Sequence, residues 1–371
     1  MVSMKIKKIL KNFHFIYDNI NINIMNKTLH ITNHIGTTKN LENVFQYLKS
    51  EYTFNIELIT ELCNFPLYIT KDAANNIWHN QYKNRLFSQG YTTLVFSDTS
   101  MYARPFLQNI EDHSLKIIVY VTNRFDWGIW GFSDKEFIDL YAKSSLHKRV
   151  IFISDNRYDQ YYTSLHNINF YYNDIVRLTP KIISNKNWIV NPSMSKMFVY
   201  NRGTKIDDYM HLIKAGSMIG VDLDIFGENY KRYRDQEHIC EYIGYIHLPY
   251  QTNIQSLWEN LGYGIVYFIP SQKFFNELLF TTDWYYWEEK TKPYNLLKLS
   301  VFLAEWYQEE NADYFIYFDS WEDLQEKINF YSKNTDELIA KKKLILSTIK
   351  NSNSQNLAKW HNIFTEFLGC Q

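Results

Sequence analysis

The chain has 371 residues, enough for two domains of ordinary size rather than one. With 46% hydrophobic and 21% charged residues it is not a disordered chain, and 12 Gly with 7 Pro exclude a collagen-like or linker-rich one. Lys and Arg total 39 against 40 Asp and Glu, a formal net charge of −1, so the basic excess of a dedicated nucleic-acid binder is missing and no nucleic-acid partner is expected.

From about residue 28 the chain alternates short apolar runs with helical stretches. Segment 27–36 reads as a strand, 38–52 as a helix and 54–62 as a second strand. A helix over 72–90 stops at Gly90, and 92–100 is a β-branched run. The strand signal is strongest over 115–127, followed by a helix over 134–148 with Ser133 as cap three residues before Glu136. A strand over 149–156 and a helix over 157–167 complete the first half. Segment 175–196 breaks the rhythm with Pro180, Pro192 and several Asn and Ser, and reads as a domain connection. The alternation restarts with strands at 196–203, 221–227, 241–246 and 265–271, and helices at 206–220 and 252–264. A long helical region runs through 296–310. A late strand lies at 314–320, and helices follow at 319–332, 335–351 and 356–364. Such alternation predicts an α/β chain of two doubly wound Rossmann-like domains facing across a cleft. The expected divisions are 1–180, 181–350 and a C-terminal helix in 351–371 that crosses back to the first domain. Ligands of such sheets bind beyond the carboxyl ends of the strands.

Composition adds context. Cys63, Cys240 and Cys370 lie far apart without metal-ligand or redox spacing, which predicts free thiols in a reducing compartment. No apolar run is long enough to span a membrane and no leader is apparent, so a cytoplasmic location is expected. Aromatic residues reach 18%, and Asn, Ile and Lys are abundant. That bias fits the codons of an AT-rich microbe or large DNA virus, and secondarily aromatic faces that stack on sugars or bases.

The region 200–271 carries the most chemistry. Arg202 and Lys205 follow a strand, where charge-assisted hydrogen bonds can hold a diphosphate. Gly227 ends another strand, where backbone can approach a ligand without a Cβ. The helix start around Asn253 offers N–H groups to phosphate, and Glu259 can accept hydrogen bonds from ribose hydroxyls. This ordered set, from 201–215 through 224–230 and 241–246 to 256–271, resembles the C-terminal nucleotide-sugar domain of GT-B glycosyltransferases, particularly the retaining family-4 type. The family's first acidic position is Gln251 here, and Glu259 matches the second. The first half is similar more loosely. His34 and Gly36 stand in the loop where the family places an acceptor or phosphate loop, and Asp126 stands where its His-Asp pair follows a strand.

The resemblance implies a metal-independent hexosyltransferase that moves a sugar from a nucleotide-diphosphate donor to an acceptor hydroxyl. The donor is a substrate, so no resident cofactor is expected. Glu259, Gln251 and Asn253 would hold the nucleotide with Gly227 and Gly36, while Arg202 and Lys205 take the diphosphate. Asp126 or His34 would be the base of an inverting reaction. Asp98, also at a strand end, is a further candidate for lining the cleft, and Glu305 reads as packing or helix surface. Asp222 and Asp224 mimic an Asp-x-Asp metal motif but fall within a strand of the GT-B pattern, so no metal is expected. The alternatives are a non-catalytic carbohydrate- or partner-binding protein on the same scaffold, favoured by Gln251, and a DNA-modifying glucosyltransferase, disfavoured by the neutral charge.

Overall fold

The computed structural model describes residues 25–129, 134–177, 192–193, 195–201, 222–227, 232–282, 285, 287 and 292–370. Within them ten strands form two five-stranded sheets, and every strand pair is parallel. The first sheet contains β1 (Asn26–Thr32), β2 (Ile56–Leu62), β3 (Thr93–Ser97), β4 (Lys116–Val121) and β5 (Val150–Ser154), in the order β2-β1-β3-β4-β5. The second contains β6 (Met197–Asn201), β7 (Leu223–Gly227), β8 (Gly244–Ile246), β9 (Tyr267–Pro270) and β10 (Phe315–Phe318), in the order β10-β9-β8-β6-β7. β3 and β5 are buried along their whole length, which is why they read as continuous apolar runs and not as alternating ones. Strand order reverses between β1 and β3 in the first sheet and between β6 and β8 in the second, so each sheet opens a crevice there beyond its carboxyl ends.

Helices cover both sheets. Ile35–Glu51 buries Leu41, Val44, Phe45 and Leu48, the i, i+3, i+4, i+7 stripe of its sequence. The helix predicted over 72–90 passes through a π-helical segment, Trp78–Tyr82, that sets Trp78 and Tyr82 in the core. Ser133 lies outside the described residues. Asp134 is the residue whose side chain caps Lys135–Ser144, accepting from the Phe137 N–H at 2.9 Å. It also takes Arg104 Nη1 at 2.7 Å and the Tyr68 hydroxyl at 3.0 Å.

Two predicted boundaries shift in the second half. The helical region over 296–310 ends at Phe302 and continues as 3₁₀ turns, Glu305–Tyr307 and Glu309–Tyr314. The helices predicted over 335–351 and 356–364 are one 28-residue helix, Thr335–Asn362. Its polar middle reads as a break. It stays helical because Asn353 and Asn356 are buried, and the Asn356 amide accepts the Arg177 N–H at 3.0 Å while donating to the Ser352 carbonyl at 3.0 Å. This helix begins in the core of the second sheet with Leu338 and Ile345. It ends with Trp360 in the core of the first sheet, where Ile363 and Phe364 join Val95, Ile118 and Ile153. Among the described residues no helix is long and apolar enough to cross a membrane.

Candidate functional site

A cavity of about 250 Å³ opens where the carboxyl ends of the first sheet meet the loop after β8 and the helix Gln255–Leu261. The floor is built from residues that immediately follow strands. His34, two residues beyond β1, is the N-cap of Ile35–Glu51, and its side chain makes no capping bond. The turn that carries it is pinned by two threonines. Thr32 Oγ1 accepts the His34 N–H at 3.2 Å, Thr37 Oγ1 donates to the His34 carbonyl at 2.9 Å, and the two hydroxyls lie 3.1 Å apart. His34 and Gly36 thus belong to a strand-to-helix turn and the first helical turn, not to an open loop.

Asp98 follows β3 on the other side of the switch point and also lines the cavity. Its φ of 68° is left-handed, a conformation that costs a non-glycine residue roughly 1–3 kcal/mol. The Asp98 N–H donates to Thr122 Oγ1 at 2.9 Å, and the Thr99 hydroxyl donates to the carboxylate at 3.1 Å. Burial pushes the Asp98 carboxyl above its ordinary range, opposed by the charge of His34 and the Thr99 hydrogen bond. The first sheet therefore presents His34 and Asp98 to the cavity from either side of its switch point.

Beyond β4 and β5 the wall continues with Thr122, Arg124, Asp155 and Asp159. Burial raises the Asp155 carboxyl to about 6, against hydrogen bonds from Asn156 and from Asn253 of the facing domain. Asn156 also binds Asp159, donating to its carboxylate at 2.7 Å and accepting its N–H at 2.8 Å. The facing wall carries Gln251, Asn253, Gln255 and Glu259. A Cβ on Gly36 would stand 2.8 Å from the Gln255 Nε2 and 2.8 Å from His34 Cε1, so the ends of these two side chains, one from each domain, close over Gly36 and would swing aside for a larger residue. Gln251 turns its amide back onto the Asn253 carbonyl at 2.6 Å, and the Asn253 amide reaches the Thr122 carbonyl at 3.5 Å. The helix that carries Glu259 is held from behind. Trp258 Nε1 donates to Glu305 Oε2 at 2.7 Å, and Arg177 pairs with Glu305 Oε1 at 2.7 Å while its guanidinium lies 3.5 Å from the Trp258 ring centre. Glu305 is therefore neither helix surface nor ordinary packing. It is a fully buried carboxyl at the junction of the two domains, raised to about 7 by burial.

The cavity thus brings together His34, Gly36, Gln251, Asn253 and Glu259 of the residues singled out in the sequence, and Asp98 with them. Asp126 stands outside its lining. The Asp126 carboxylate takes the Tyr162 hydroxyl at 2.8 Å and sits between Arg124 at 3.4 Å and Lys292 at 3.8 Å, a clasp between the two domains. Gly227 ends β7 in register with Asn201, with φ 140°, and is likewise not part of the lining. Arg202 and Lys205 lie outside the described residues. Asp224 accepts the Tyr242 hydroxyl at 2.6 Å, and Asp222 meets Lys196 at 3.6 Å. Asp155, Asp159, Thr122 and Gln255 were not singled out by motif. Three of the positions in the first wall directly follow β3, β4 or β5, so the rule that ligands lie beyond strand carboxyl ends is the signal that finds them.

No protein-family model and no curated protein matches the chain. Among solved structures it is similar to a putative UDP-N-acetylglucosamine 2-epimerase from Listeria monocytogenes, at 7% identity and a TM-score of 0.53, with 93% of this chain and 98% of that one covered. The sheet order and this likeness together define the fold. The architecture is GT-B. The chain is also similar to the glycotransferase of kitacinnamycin (7% identity, TM-score 0.49, covering 92% and 98% of the two chains) and to SsfS6, a Streptomyces sp. SF2575 glycosyltransferase (8%, 0.39, 88% and 96%).

Proposed function

We propose that this GT-B chain is a glycosyltransferase that moves a sugar from a nucleotide-diphosphate donor to an acceptor hydroxyl in the interdomain cavity. The observation that carries the reading is a cavity shared by the two domains at the switch point of the first sheet, lined by His34 and Asp98 of one domain and Glu259 of the other. In this reading His34 takes the proton of the acceptor hydroxyl as its oxygen bonds to the anomeric carbon. The bond from that carbon to the diphosphate breaks, and the nucleotide diphosphate leaves. Asp98 borders the same end of the cavity. Positioned proton transfer of this kind contributes roughly 10²–10⁴-fold to rate. Glu259 holds the ribose hydroxyls, Gln251 and Asn253 border the donor, and Arg202 and Lys205 neutralise the leaving diphosphate without calling on a metal. The family-4 resemblance implies retention at the anomeric carbon. A histidine base beside the acceptor favours inversion instead, and the anomeric configuration of the product decides between the two.

The test is turnover of a panel of nucleotide sugars with sugar and small-molecule acceptors, read by release of the free nucleotide diphosphate. Transfer from at least one donor that falls by about 100-fold in His34→Ala supports the reading. Hydrolysis or transfer unchanged in that variant overturns the role of His34. A second reading, binding without turnover, is favoured by Gln251, whose amide is spent on the Asn253 carbonyl. Donor affinity with no turnover of any donor would establish it.

A further inference from the structure

A second and larger concavity lies on the far side of the helix Arg157–Ser164. That helix has two faces. Tyr158, Asp159, Tyr162 and Thr163 are buried, and Asp159 reaches the interdomain cavity. Arg157, Gln160, Tyr161 and Ser164, spaced i, i+3, i+4 and i+7, line a groove of about 530 Å³. The opposite wall is the chain from Ile168 to Asp174, with Phe170 and Tyr172, and Leu303 of the second domain also lines the groove. The volume falls within the roughly 300–1,000 Å³ of small-molecule sites.

The lining selects a chemistry. Its aromatic side chains are Tyr161, Phe170 and Tyr172, and Tyr161 is 43% exposed. Asn169 and Asn173 add amides, while the Gln160 amide donates to the Tyr172 carbonyl of the opposite wall at 2.9 Å and the Ser164 hydroxyl to the Tyr161 carbonyl at 2.7 Å, leaving their oxygens as acceptors. Both full charges that border the groove are neutralised. Arg157 pairs with Glu310 at 2.7 Å, and Asp174 pairs with Lys359 at 2.5 Å. Pairing lowers the pull of each charge on an ionic ligand. A peptide could not extend the sheet here. The outer edge of β5 is occupied, because Tyr171 N–H donates to the Phe152 carbonyl at 2.8 Å and Val176 N–H to the Ser154 carbonyl at 2.7 Å. Aromatic faces flanked by amides and hydroxyls, with no net charge, fit a neutral polyhydroxylated chain.

We infer that the groove between the helix Arg157–Ser164 and residues 168–174 binds a neutral oligosaccharide, at a site separate from the interdomain cavity. The inference does not depend on sugar transfer, since the groove binds without donor or turnover. The probes are maltohexaose, cellohexaose and chitohexaose, titrated against the full chain by saturation-transfer NMR and intrinsic fluorescence. At least one binds the native chain. Tyr161→Ala and Asn173→Ala, both at exposed positions, each weaken it by about tenfold, while Glu259→Ala leaves it unchanged. Three results overturn the inference: none of the three probes binds; binding survives both groove variants; or binding is lost in Glu259→Ala. Tighter binding of a sulfated hexasaccharide than of any neutral one also overturns it.

Discussion

Glu259 and His34 face one another across the interdomain cavity, and each has a separable signature. Glu259→Ala removes a half-buried carboxylate that sits on the cavity wall and not in the core. Calorimetry should find nucleotide affinity lowered by about tenfold, with the melting temperature unmoved. Equal affinity in the variant removes Glu259 from the ribose. His34→Ala, on an exposed side chain, is expected to leave donor affinity in place and reduce turnover. These two residues were legible as types at positions: a histidine just after the first strand and a glutamate inside a Gly-bounded helix. Asp126 shows the limit of that reading. Nothing in its flanking sequence says that Lys292, more than 160 positions later, comes to within 3.8 Å of its carboxylate. A strand-end aspartate facing a cleft and one clasping two domains look alike in one dimension. Asp155 carries no motif either, yet it directly follows β5, so its place at a strand's carboxyl end is the signal that marks it.

Local propensity fixed the elements well wherever their ends were capped or glycine-bounded, and less well where tertiary contacts overrode polar sequence. Asp134 illustrates how much a single cap can carry. It caps Lys135–Ser144 and also neutralises Arg104, which is 2% exposed. Asp134→Ala leaves a buried guanidinium with the Ile69 carbonyl but no counter-charge, so the loss should reach about 3–5 kcal/mol, beyond the roughly 1 kcal/mol of a cap alone. Chemical denaturation measures it, and a loss near the lower figure would mean that Arg104 finds another acceptor. The helix Thr335–Asn362 shows the opposite case. Its middle, 351–355, contains Asn and Ser that ordinarily favour turns. The buried Asn356, bonded to Arg177, keeps them helical. No periodicity within the helix reveals that partner.

At the scale of the whole molecule the two domains meet around Arg177, with Glu305 and Asp155 as two acids near one guanidinium. Burial raises Glu305 from 4.5 to about 7 and Asp155 from 3.8 to about 6. The folded chain therefore holds protons that the unfolded chain has released across this interval. The stability this confers is complete below the unfolded values and is lost as pH rises through about 6 and then about 7. The melting temperature should fall between about pH 4 and about pH 7, and Glu305→Gln should flatten that decline. A variant whose pH dependence parallels the native one would place the titration elsewhere. The other long-range tie is Trp360, fully buried in the first sheet's core although its helix starts in the second. Trp360→Ala is expected to cost about 3–5 kcal/mol by denaturation. A loss under about 1 kcal/mol would mean that this face of the first sheet tolerates the gap.

That returning helix also imposes an order of assembly during synthesis. The layer over β3, β4 and β5 includes Trp360, Ile363 and Phe364, which leave the ribosome more than 200 residues after the last strand they cover. A nascent chain that has completed β5 still exposes Val95, Ile118 and Ile153 on one side, a sticky surface that a chaperone would have reason to shield until translation is nearly finished.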